Sequence, residues 1–117
     1  MPAATALVYV EPARRCGKTA SRIDAIVADA AVLLRVPVRL IMSRDRSDSV
    51  FRARAAVCWV ADKTTGLGVA RLGRLLGRDH SSIIHAIARA EAMRASDDDF
   101  REATVIMVAA ALRRARR

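Results

Sequence analysis

Aromatic side chains are scarce, at 3% of 117 residues: one Trp, one Tyr and two Phe. Strands draw heavily on aromatic and β-branched residues, so a chain dominated by alanine, leucine, valine and arginine points to packed helices. Only two cysteines occur, Cys16 and Cys58. They make no disulfide framework, and with His80 and His85 they show none of the paired short spacings of a zinc site, so no metal or cofactor is expected. No uncharged apolar run approaches the ~20 residues of a membrane span. The first nine residues lack a basic region ahead of a long apolar stretch and make a poor signal peptide, so the cytoplasm is the expected compartment and no membrane partner is expected. Acid is also in short supply, with 12 Asp+Glu against 21 Lys+Arg, a formal charge of +9. A small domain that basic accumulates near a polyanion: nucleic acid, an anionic surface or an acidic protein. All of the basic residues but Lys18 and Lys63 are arginine, which pairs bidentately with phosphate and with guanine edges.

Apolar residues make up 53% of the chain, enough for one domain with a modest core. Residues 1–20 read as a flexible basic arm, punctuated by Pro2 and Pro12, with a short extended piece at residues 6–10. From Ser21, read as an N-cap, Ile23, Ile26, Val27, Ala30, Leu33 and Leu34 repeat at helical spacing until Pro37. Residues 38–42 suit a short second helix, and residues 43–49 a polar loop. Val50, Ala53, Val57, Val60 and Ala61 share the next helical face, which residues 64–68 break. Val69, Leu72, Leu75 and Leu76 define a short amphipathic helix ending at Gly77. Beyond the turn, Ile83, Ile84, Ile87 and Ala88 are expected to form the buried side of a helix reaching about Arg94. Acids at Asp97, Asp98 and Asp99 and bases from Arg113 onward match the dipole of a last helix. That helix is apolar nearly all round, with Phe100, Ala103, Met107 and Ala110 on one side and Val105, Val108 and Leu112 on another. The surplus implies either contact with a partner or a terminal helix wrapped into the core. The expected fold is all-α, a bundle of about five to six helices over residues 21–117.

A short helix, a glycine turn and a helix of about four turns is the helix-turn-helix arrangement. In the second of these helices Ser81, His85 and Arg89 share one face, while Arg78, Asp79, His80 and Ser82 crowd the amino end. In a major groove that end approaches base edges while its flanks reach phosphates. The string Gly77-Arg78-Asp79-His80-Ser81-Ser82-Ile83-Ile84-His85-Ala86 resembles the signature of the carboxy-terminal DNA-binding domain of the bacterial replication initiator DnaA. The similarity runs back through Leu72-Gly73 and the basic loop of residues 44–54 to Ile23. Carried over position by position, the resemblance implies that Asp79, His80, Ser81 and Ser82 face bases in the major groove. Arg46 would enter the adjacent minor groove, and Arg54, Arg78, His85 and the backbone at Val69 and Ala70 would hold phosphates; Arg89 joins the expected phosphate contacts only by sharing a face with Ser81 and His85. It implies a helix-turn-helix reader of double-stranded DNA standing apart from the initiator's nucleotide-binding motor.

The competing readings are weaker. Residues 12–19 mimic a phosphate loop, but Pro12 stands where the first glycine must supply permissive backbone angles. Residues 57–62 mimic an acidic strand, yet fit a helical face better. Asp79 and His80 have no nucleophile or third group to make a catalytic set. The expected protein is therefore not an enzyme. The roles considered are a transcription regulator, related to phage or gene transfer, a replication modulator competing for DnaA boxes, and an adaptor. In the last case the final helix binds RNA polymerase or another regulator; a homodimer through that helix is a further use of its apolar face.

Overall fold

A computed structural model describes residues 18–116, with side chains from Thr19 onward. Among the described residues there are six helices and no strand, as the composition implies. They are α1 (Lys18–Leu34), α2 (Val38–Ile41), α3 (Asp48–Thr65), α4 (Val69–Leu76), α5 (His80–Ser96) and α6 (Asp98–Ala115). The expected flexible arm as far as residue 17, its extended piece and residues 12–17 of the 12–19 phosphate-loop mimic lie outside the described residues; residues 18–20 and 57–62 are helical.

Helix α3 is the axis of the bundle, in contact with every other helix. Seven successive residues, 55–61, are buried, so the helix is enclosed on all sides rather than along the single stripe expected. Its extra buried positions are Ala55, Ala56, Cys58 and Trp59. The alanines give no hydrophobic period in the sequence, yet their small volume is what lets neighbours close round the helix. Trp59 ties three helices together. Its indole N–H donates to Glu91 Oε2 on α5 at 2.9 Å, and the Arg94 guanidinium lies 4.2 Å from the ring centroid. Arg94 in turn donates to the hydroxyl of Thr104 on α6, a fully buried side chain, at 2.9 Å.

Helix α1 begins three residues before the expected cap, and Ser21 lies exposed inside it. Ala20, buried at 3% exposure, extends the Ile23–Val27–Ala30 stripe one turn toward the amino end, which explains the earlier start. At its other end Arg35 takes a left-handed conformation (φ 58°) while the Val36 amide donates to the Ala31 carbonyl at 3.1 Å. Pro37 then serves as the N-cap residue of α2.

The α4–α5 turn is built around two glycines. Gly77 closes α4 at φ 69°, where a side chain is strained. Gly73 is needed for space: the Arg78 amide donates to its carbonyl at 2.8 Å, and a Cβ there would lie 2.5 Å from the Arg78 carbonyl oxygen. Asp79 caps α5, its Oδ1 accepting from the Ser82 amide at 3.0 Å.

Two burial expectations need correction. On α5 the buried stripe is Ile83, Ala86 and Ala90 with Ile87 half-buried; Ile84 is 52% exposed and Ala88 is exposed too. The 3.6-residue period fixes the inner face, and small alanines fit it where α3 packs closely. On α6 the buried set is Phe100, Ala103, Thr104, Met107 and Ala111, with Ala110 and Val108 half-buried. Val105, Ile106 and Leu112 are 52%, 45% and 44% exposed, so the bundle does not absorb the apolar surplus.

Candidate nucleic-acid interface

Capping by Asp79 fixes the direction in which α5 leaves the turn, and Ile83 and Ala86 anchor its inner side. The result is that His80, Ser81, Ser82, His85 and Arg89 are all exposed along its amino-terminal and outward faces. Had His80 and Ser81 turned inward, no groove could reach them. Asp79 is exposed as well, but one of its carboxylate oxygens is engaged in the cap.

Beside this edge lies an open cleft of about 630 Å³ between the 43–47 loop, α3 and α5. Arg44, Arg46, Arg54 and Arg78 line it together with Ser81, Ser82 and His85. Phe51 and Cys58 are at its apolar wall, and the rings of Phe51 and His85 stand 6.0 Å apart at 46°. The loop is held open by local bonds. Ser43 donates its hydroxyl to the Leu40 carbonyl at 2.7 Å, and the Ser47 amide donates to Asp45 Oδ1 at 2.7 Å. The Ser47 hydroxyl, and after it the Ser47 amide, holds the Asp45 carboxyl below its ordinary value, so the loop carries one fixed negative charge between two arginines.

Arg54 and Arg78 do structural work at this site that spacing alone does not reveal. Arg54 Nε donates to the Ile41 carbonyl at 3.0 Å, Nη1 to Asp45 at 3.1 Å, and Nη2 to Leu40 and Ser43 at 3.2 and 2.9 Å. Arg78 Nη2 donates to the Ser43 carbonyl as well. Two arginines, Arg54 on α3 and Arg78 in the α4–α5 turn, thus fasten the loop that presents Arg44 and Arg46. Burial, and for Arg54 the adjacent Arg78 charge, draws both guanidinium groups below their ordinary pKa. Burial pushes the Cys58 thiol up to about 12, which leaves it an inert core group.

Elsewhere the amino end of α4 is uncapped by any side chain, since Gly68 stands there. The first amides, at Val69 and Ala70, are free of helical partners and sit at the positive end of the dipole. Val69 is half-buried and Ala70 exposed. Arg44, which lines the cleft beside Arg46, was not among the expected contacts; its place in the same Ser-Arg-Asp-Arg loop was the available signal. Among the described residues no three of His, Cys, Asp and Glu gather as a metal site would require, and no helix is long and apolar enough to cross a membrane.

This arrangement is that of a family described as the bacterial DnaA protein helix-turn-helix, which matches residues 21–90. The chain belongs to that family. It is 34% identical over 89 residues to the chromosomal replication initiator protein DnaA of Caulobacter vibrioides (strain NA1000 / CB15N), a match covering 75% of this chain and 18% of that protein. The initiator of Caulobacter sp. (strain K31) is 38% identical over 58 residues, covering 49% of this chain and 12% of the relative. The chain therefore spans about a fifth of the length of the relatives it matches at most. The matched DnaA family region contains the whole turn, the cleft and the outward face of α5 as far as Ala90, while α6 lies beyond it.

Proposed function

We propose that this DnaA-family domain binds double-stranded DNA sequence-specifically, as a regulator of transcription rather than an enzyme. The observation that carries the reading is the exposed amino edge of α5 beside an arginine-lined cleft. His80, Ser81 and Ser82 approach base edges in the major groove, with the free oxygen of Asp79 beside them. Arg46, held forward by the fastened loop, enters the neighbouring minor groove, where narrow A·T-rich segments attract arginine. His85, Arg89, Arg78 and the α4 amides at Val69 and Ala70 supply phosphate contacts on either flank.

Selection of bound sequences from a random duplex pool gives the site. On the selected duplex, His80→Ala or Ser81→Ala should each weaken binding by about 1–3 kcal/mol, with little change on scrambled duplex. Equal losses on both duplexes reject base reading. The similarity to replication initiators supports a second role, competition for initiator boxes; footprints concentrated at an origin instead of at promoters would select it.

A further inference from the structure

Helix α6 presents a solvent face that the bundle leaves uncovered and that the DNA-reading surface does not use. At 3.6 residues per turn its centre runs through Val105, Ala109 and Leu112, with Ile106 on the flank. Val105 and Leu112 are 52% and 44% exposed and Ala109 is exposed, so two bulky residues flank a small one. The charges on this face are sorted by end. Glu102 precedes the apolar stretch, and Arg113 and Arg116 follow it, all exposed. Several other charges near the helix ends are engaged within the chain. Asp98 pairs with Arg101 at 2.8 Å, Arg114 with Asp29 at 2.7 Å, and Asp97 with Arg52 at 2.9 Å.

We propose that this face binds a second copy of the same chain, the two α6 helices packing antiparallel about a two-fold axis near Ala109. A two-fold interface must be self-complementary, and this face is. Antiparallel alignment sets each Val105 over the second copy's Leu112, with the two Ala109 residues at the crossing where helix axes must approach. The same alignment places each Glu102 between Arg113 and Arg116 of the second copy. Parallel alignment would put like charges together at both ends. A heterologous partner would need the reverse charge order, whereas the chain already supplies it. The apolar patch is small, so the dimer is a weak one. It carries two reading edges related by the same axis, which suits paired, inverted DNA sites.

The test is made on the whole chain without DNA, so its failure says nothing about base reading. Sedimentation across a range of protein concentrations should show the mass rise from one chain toward two. Glu102→Arg alone, and Arg113→Glu with Arg116→Glu, should each weaken association about tenfold or more. Mixing these two altered proteins should restore it, because every contact in the mixed pair is again between opposite charges. Circular dichroism confirms that each variant is folded, and Val105→Glu gives an independent disruption. A wild-type chain that stays single at every concentration overturns the proposal and leaves the face to some other molecule. So does a dimer that survives Val105→Glu, or a mixture that fails to pair.

Discussion

Arg54 is the residue on which the placement of Arg46 depends. A guanidinium has five N–H donors, and four carbonyls of residues 40–45 accept from Arg54. Lysine keeps the charge but cannot reach four diverging acceptors, so Arg54→Lys should cost about 1–3 kcal/mol of stability. Arg46→Ala, at an exposed residue, should leave stability unchanged within about 0.5 kcal/mol. It should instead lower the dependence of DNA affinity on salt by about 0.9 in log–log slope. Urea denaturation and salt-titrated binding separate the two effects. If Arg54→Lys melts like the wild type, the loop is not fastened as described. The polar edge of α5 was legible in the sequence because each of its members is polar and must find solvent or a partner. Arg54 was legible only as a charge. Its acceptors are backbone carbonyls brought together by tertiary folding, and sequence spacing holds no trace of them. Asp79 shows the same limit, since its oxygens are divided between a cap and a free edge.

At the scale of elements, the helix-turn-helix angle is set by contact between backbones. Gly73 lets α4 lie against the start of α5, and any side chain at that position meets the Arg78 carbonyl at 2.5 Å. Because the obstacle is backbone rather than the end of a flexible side chain, Gly73→Ala should destabilise the domain by at least about 1–3 kcal/mol. It should also disturb the edge that α5 presents. The check is a thermal melt together with binding to the selected duplex, and an unchanged melt would contradict the close approach. Helix number, order and the turn were legible because caps, prolines and glycines punctuate them. The phase of α5 was not. Choosing its inner face by the bulk of Ile84 put weight on a residue that is half exposed, whereas Ala86 and Ala90 carry the contact. Alanine-rich helices hide their packing face in this way, because their close approach to neighbours leaves no mark in hydrophobic period.

Over the whole molecule, acids and bases have different employment. Carboxylates hold helices together or brace their ends: Asp29 on Arg114, Asp97 on Arg52, Glu91 on Trp59 and Lys63, Asp98 on Arg101, and Asp79 on the Ser82 amide. Arg44, Arg46 and Arg89 make no ion pair with another described residue, which leaves positive charge uncompensated at the cleft and the outward face of α5. Acid should therefore loosen the bundle, and Asp97 allows the effect to be isolated. Its carboxyl is held below the ordinary value first by the Phe100 amide and then by the Arg52 side chain. A lowered folded pKa means that the unfolded chain takes up this proton first as pH falls. The stabilisation is complete above the unfolded value of about 3.9 and disappears as pH drops through the lower folded value. Asparagine can still accept the Phe100 amide as an N-cap but cannot titrate. Asp97→Asn should thus melt below the wild type at pH 7, and the two melting temperatures should converge as pH falls below about 4. Protonation also raises a net charge that already stands at +9, so both proteins lose stability there through self-repulsion. The difference between them is what reports on Asp97. A gap that stayed constant from pH 7 to 3 would show that the charge on Asp97 does not contribute to holding the α5–α6 junction against Arg52 of the central helix.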